Sequence, residues 1–231
     1  MSVITISRQF GCGGDEIAEA ICKQTGYRLF DKHILVKAAQ EAGLSEAEVI
    51  DYSEDQYEAR RFFERLFGRP QAVAQVRMWK EDLDGVRTVE LMELDEQSAL
   101  RLVRSAVEKA YQMGNMVIVG RGGQVILRNK LDVLHVRVAA PLEERIQRVR
   151  ARLRESNRRF STSLEERRAA QDLIAARDMA SADYLKRIYG VDWSDPLLYD
   201  LVINTRRMGT ELAARLIVEA VEQLSGVPET A

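Results

Sequence analysis

The chain reads as an α/β protein built around a parallel sheet, and three observations carry that reading. Short apolar runs, among them Val133-Leu134-His135-Val136-Arg137-Val138 and Leu201-Val202-Ile203-Asn204, alternate with segments of helical periodicity. Met116-Val117-Ile118-Val119 is apolar throughout, as a strand buried on both faces of a parallel sheet must be. Val3-Ile4-Thr5-Ile6 leads through a glycine-rich bend into a helix, so the first connection also changes from period two to period 3.6. Strands that alternate with helices imply right-handed crossovers.

In order, the first helix is expected to run to about Lys23, and Gly26 to Phe30 to form a second short strand ended by Asp31. Ile34, Leu35, Ala38, Ala39 and Ala42 then fit one helical face, stopped by Gly43. Ser45-Glu46-Ala47-Glu48 has the form of a capping box. From there to Asp95 the chain is charged, holds a single proline (Pro70) and shows no clean strand, which predicts a helical insert. Residues 96–113 regain strong helical periodicity through Leu100, Val103, Val107 and Tyr111, up to Gly114. After the strand at 116–119 come Gly120-Arg121-Gly122-Gly123, then the strand at 133–138 and a helix opened by Pro141. That helix carries Arg145, Arg148, Arg150, Arg152 and Arg154, with Arg158 and Arg159 beyond it. A long helix over 163–188, the strand at 201–204 and a helix over 209–224 complete the order. The whole, 1–231, is expected to be one domain with a core of 1–44 and 96–231 and an insert of 45–95.

Composition narrows the function. Hydrophobic residues make up 46% of the 231, enough for a sizeable core, and charged residues 30%. Lys plus Arg number 34 against 36 acids, a formal net charge of −2, so no general nucleic-acid binder is expected. Cys12 and Cys22 form neither a disulfide framework nor a zinc spacing, and a reducing cytoplasmic setting is expected. No apolar run is long enough to span a membrane. His33 and His135 share no ligand spacing, so no protein-held metal site is expected.

In open parallel sheets ligands sit beyond the carboxyl ends of the strands. That rule selects Arg8 to Asp15, Asp31, Gly120 to Gly123 and the loop after Val138. The bend Gly11-Cys12-Gly13-Gly14 can turn several backbone N–H groups toward one anion, with the helix N-terminus adding partial positive charge. The common phosphate-loop pattern places a lysine and then a hydroxyl residue after its last glycine. Here Gly14 stands in place of the lysine, and the acidic Asp15 and Glu16 follow. Gly11, Cys12, Gly13, Gly14, Asp15 and Glu16 are therefore the expected phosphate contacts, and the missing positive charge is expected from Arg8 or an arginine of the segment around 148–159.

With these segments in hand the chain resembles the cytidylate kinase-like family, a branch of the nucleoside monophosphate kinases with a variant glycine loop. The resemblance rests on Ile6-Ser7-Arg8-Gln9-Phe10-Gly11-Cys12-Gly13-Gly14, Phe30-Asp31-Lys32, Val117-Ile118-Val119-Gly120-Arg121, Tyr189-Gly190-Val191-Asp192-Trp193 and Tyr199 to Thr205. It implies a five-stranded parallel sheet flanked by helices, with a P-loop, an insert over 45–95 that binds the monophosphate or forms a homodimer surface, and a lid over 154–162. It implies transfer of the ATP γ-phosphoryl group to a nucleoside monophosphate, CMP or dCMP favoured, with Mg²⁺ arriving on the nucleotide. The catalytic residues it implies are Arg8, Arg121, Arg152, Arg158 and Arg177, with Asp31 and Arg121 holding the acceptor. The alternatives are a catalytically weak nucleotide-binding regulator and a kinase of another small molecule. Trp193 and Tyr199 are expected to pack the last crossover rather than stack on a base.

Overall fold

A computed structural model describes residues 2–30, 47–49, 74–81, 87–94, 96–155 and 160–225. They fall into two compact units, Met1–Leu29 with Gly114–Ala231, and Phe30–Met113.

In the first unit, β1 (Val3–Arg8) lies at the centre of a five-stranded sheet. It pairs in parallel with β6 (Met116–Val119) on one side and β7 (Val133–Ala139) on the other. β2 (Arg28–Leu29) and β8 (Leu201–Asn204) close the two edges, giving the order β2-β6-β1-β7-β8. The chain alternates sides, so Ile4, Ile6, Leu134, Val136 and Val138 share one face. There they pack with Ile17 and Ile21 of α1 (Gly14–Thr25) and with Ala213, Ile217 and Val221 of α6 (Thr210–Ser225). Full burial of such a side chain contributes about 1.5–3 kcal/mol, so this face is the main apolar store of the unit.

The other face carries polar groups, and the fold has to satisfy each of them. Thr5 Oγ1 lies 2.7 Å from His135 Nδ1. Trp193 Nε1 donates to Ser7 Oγ at 2.8 Å, and Tyr199 hydroxyl donates to the backbone carbonyl of Trp193 at 2.9 Å. Arg137 donates to the same carbonyl at 2.7 Å, with its guanidinium 4.3 Å above the Trp193 ring. Trp193 and Tyr199 thus pack the last crossover, as expected, and shield a buried arginine by cation–π contact. α3 (Gly123–Ile126) covers this face next to Thr5: a Cβ on Gly123 would lie 3.2 Å from Thr5 Cγ2.

α4 (Leu142–Glu155) and α5 (Ser163–Tyr189) pack through Ile146, Val149, Leu153, Ala170 and Ile174. Thr162 caps α5 by accepting from Glu165 N–H at 3.1 Å. Glu166, buried, takes both Arg154 and Arg150, whose hydrogen bonds pull its carboxyl down to about 2. No helix of the described residues is long and apolar enough to cross a membrane.

In the second unit the described elements are β3 (Ala47–Val49), β4 (Ala74–Glu81) and β5 (Arg87–Leu94), an antiparallel sheet, and α2 (Glu96–Met113). Where the stretch 45–95 is described it is strand rather than the expected helix. Ala74, Val76 and Met78 alternate with Gln75 and Arg77, a period-two signal masked by the helix-favouring Glu, Arg, Leu and Met content of the segment. Asp84-Gly85 in the sequence between β4 and β5 is likewise a hairpin signal. The helix expected from Ser45 gives way to β3, and the one expected over 32–42 lies outside the described residues. The unit is also wider than the expected 45–95 insert, since α2 belongs to it; α2 buries Leu102, Ala106, Val107 and Ala110.

His135 is buried, and desolvation pushes its imidazole below the ordinary value despite the Asp200 carboxylate. The unfolded chain therefore binds the proton first, and stability falls as pH drops below about 6.5 toward the lower folded value. His135→Gln is expected to flatten the decline in Tm between pH 7 and pH 5, measured by thermal denaturation across that range.

Candidate active site

β1 delivers its chain to the bend by register. Gln9 N–H donates to Val138 carbonyl at 3.0 Å, and Gln9 Oε1 accepts from Ala140 N–H at 3.1 Å. The bend then turns through Gly11 (φ 78°) and Gly13 (φ 89°), both left-handed. Side chains are costly there and also crowded: a Cβ at Gly11 would lie 2.8 Å from Val149 Cγ2. Gly14 begins α1 so close to Arg8 that a Cβ would sit 2.7 Å from Arg8 Cβ. Gly13 caps α1 without any side-chain hydrogen bond, and Ile17 N–H, at 3.1 Å from Gly13 carbonyl, makes the helix's first bond. The N–H groups of Gly14, Asp15 and Glu16 have no acceptor inside the helix, and the helix dipole favours negative charge beside them. Backbone N–H groups at an uncapped helix N-terminus, on a bend whose glycines let other elements pack closely behind it, form a cradle that fits a phosphate group.

Two sets of side chains hold the cradle from outside. Phe10 N–H donates to Asp178 Oδ1 at 2.8 Å; Arg145 donates to Asp178 Oδ2 at 2.5 Å and to Phe10 carbonyl at 3.3 Å. Arg177, one residue before Asp178, lays its guanidinium 5.7 Å from the Phe10 ring centroid. The Cys12 carbonyl accepts from Thr205 Oγ1 and from Arg148 Nη1, each at 2.7 Å.

Of the residues read as catalytic, Arg8 packs against Gly14 and donates to Asp15 Oδ1 at 3.0 Å. Arg152 pairs with Glu16. The two acids expected at the nucleotide phosphates therefore hold arginines at the mouth of the bend. Arg121 follows β6, half-buried, with φ 62° between Gly120 and Gly122, both also left-handed. A non-glycine residue in that region costs roughly 1–2 kcal/mol. Arg158 and Asp31 lie outside the described residues, as do residues 156–159 of the expected lid.

Sequence reasoning missed Asp178, Thr205 and the bracing role of Arg145 and Arg148. Asp178 carried no signal of its own on a charged helix. Thr205 stood just past a strand end, the position the carboxyl-end rule selects. Among the described residues no group of three His, Cys, Asp or Glu side chains gathers to hold a metal.

Cys12 is fully buried, its thiol donating to Val138 carbonyl at 3.4 Å, and burial pushes the thiol up to about 11. At pH 8 it is expected to resist iodoacetamide in the native protein and to react fully in denaturant, as site-resolved mass spectrometry would record.

The Cytidylate kinase-like family profile matches residues 3–207. A cytidylate kinase of Ignicoccus hospitalis is 33% identical over 143 residues, covering 61% of this chain and 74% of that protein. One from Pyrococcus horikoshii is 30% identical over 135 residues, covering 58% and 62%. Among solved structures, an uncharacterized protein from Eubacterium ventriosum aligns with a TM-score of 0.58 at 16% identity, over 96% of this chain and 99% of that one. The last likeness is one of fold. The match across most of the chain, together with the glycine cradle and its arginines, places the protein: it belongs to the cytidylate kinase-like family.

Proposed function

We propose that the protein is a phosphotransferase that moves the γ-phosphoryl group of ATP to a nucleoside monophosphate, CMP or dCMP being the favoured acceptor. The observation that carries this reading is the uncapped N-terminus of α1, opened toward an anion by Gly11 and Gly13 at the carboxyl edge of the sheet. Family membership and the curated relatives, which are cytidylate kinases, support it.

Phosphoryl transfer asks a protein chiefly to hold two anionic groups in line and to neutralise charge. In this reading the cradle binds the ATP phosphates through backbone N–H groups. Arg8 and Arg152, released in part from Asp15 and Glu16, supply the positive charge that Gly14 does not. Arg121 grips the acceptor phosphate through its planar guanidinium. In the same reading Asp31 serves the acceptor, and Arg158 and Arg177 add positive charge for the transferring group. Mg²⁺, when bound, would screen the phosphates; among the described residues no carboxylate cluster gathers to hold it, so phosphate oxygens and waters would be its ligands.

A second reading has a specific observation behind it. Both acids of the first turn of α1 occupy arginines that the reaction needs, which suits a protein that binds nucleotide and turns it over poorly.

A coupled ADP-release assay with a panel of monophosphates separates the two. CMP or dCMP is expected to give the highest kcat/KM, and Arg121→Ala to lower it at least about 100-fold, roughly 2.7 kcal/mol of transition-state stabilisation. ATP-dependent thermal stabilisation without ADP release favours the regulator.

A further inference from the structure

The peptide between Cys12 and Gly13 is gripped by one end. Its carbonyl oxygen accepts from Thr205 Oγ1 at 2.7 Å and from Arg148 Nη1 at 2.7 Å. The two donors are tied to each other: Arg148 Nη1 lies 2.9 Å from Thr205 Oγ1, and Arg148 Nη2 donates to Thr205 carbonyl at 3.0 Å. Proton accounting closes this ring. A threonine hydroxyl has one proton and two lone pairs. Thr205 gives its proton to Cys12 carbonyl and uses a lone pair for Arg148, which is left with donors to spare. Thr205 is 5% exposed, so water does not compete for these bonds.

The consequence follows from peptide geometry. Among the described residues no peptide is cis, and in a trans peptide the C=O and the N–H point to opposite sides. Drawing Cys12 carbonyl toward Thr205 and Arg148 turns Gly13 N–H the other way. With Gly11 and Gly13 both left-handed, no Cβ resists that orientation. The charge on Arg148 also polarises the peptide it grips and makes the opposite N–H a better donor.

We propose that Thr205 and Arg148 are positioning residues: together they hold the Cys12–Gly13 peptide so that its N–H faces the nucleotide phosphate. The pair sets a guanidinium behind the backbone of a loop that lacks the usual lysine. This inference rests on the phosphate-binding reading of the bend, and the pair acts through the peptide.

The test uses the full chain and ATP–Mg²⁺, with affinity by calorimetry, KM for ATP and for CMP by ADP release, and Tm by thermal denaturation. Thr205→Val keeps the shape and removes the proton; Thr205→Ser keeps the proton; Arg148→Met removes the charge and keeps a long apolar stem. Thr205→Val and Arg148→Met are each expected to weaken ATP about tenfold, or about 1.4 kcal/mol, with KM for CMP unchanged. Thr205→Ser is expected to stay within about twofold of the parent. The double variant is expected to lose less than the product of the two single losses, because both side chains grip one oxygen. Wild-type ATP affinity in a folded Thr205→Val overturns the proposal; if that variant does not fold, wild-type affinity in Arg148→Met does the same. Equal rises in KM for both substrates also overturn it, by marking a merely structural role. A parent protein that binds no ATP is a different result: it removes the phosphate site itself, and this inference with it.

Discussion

The burial of β1 on both faces is the constraint from which the site follows. Ile4 and Ile6 commit one face to α1 and α6, so Thr5 and Ser7 must meet the other. Those two hydroxyls can stay dry only with partners, and they find His135 and Trp193. The strand then has no freedom to slide, since a one-residue slip would exchange its apolar and polar sides. Its carboxyl end is therefore delivered at one height against β7, where Gln9 and Cys12 both reach the Val138 carbonyl. A cradle made of backbone N–H groups needs that certainty more than one made of long side chains, which can adjust by rotation.

Most of the first unit was legible in the sequence because its signals are local and strong. The apolar run 116–119, the strand at 201–204 and the helices after Pro141 and Ser163 all lie where periodicity puts them. In the second unit the helix over 96–113 was legible but the strands were not, because alternation and propensity disagree there: Ala74 to Met78 alternates like a strand, yet the segment is built in part from residues that favour helices. At the site, the glycine bend and the place of Arg121 after a strand end were readable from residue types, whereas the left-handed backbone of Arg121 was not. The braces were not. Asp178 reaches Phe10 across 168 residues and Thr205 reaches Cys12 across 193, and no local pattern encodes a contact of that span.

Electrostatics at the bend is arranged in pairs rather than as a bare positive patch. Asp15 and Glu16 sit in the first turn of α1, where the helix dipole favours acids, and each holds an arginine close to the cradle. The Arg152–Glu16 pair is exposed at both ends and contributes little to stability, so an incoming polyanion meets little resistance in taking that arginine over, whereas Arg8 is 19% exposed beside its more open Asp15. Arg145 differs. It is 7% exposed and bonded to Asp178, and its charge stays committed to holding Phe10.

The strand order β2-β6-β1-β7-β8 has a bearing on solubility as well as on the site. Its edges are short strands, two residues in β2 and four in β8, whereas its two longest strands, β1 and β7 with six and seven residues, both lie inside. An edge strand offers unpaired backbone groups on which a foreign strand can grow, and the offer scales with its length. By confining the long strands to the interior, this sheet leaves little template for intermolecular β-pairing, even though Val202 at one edge is half exposed and apolar.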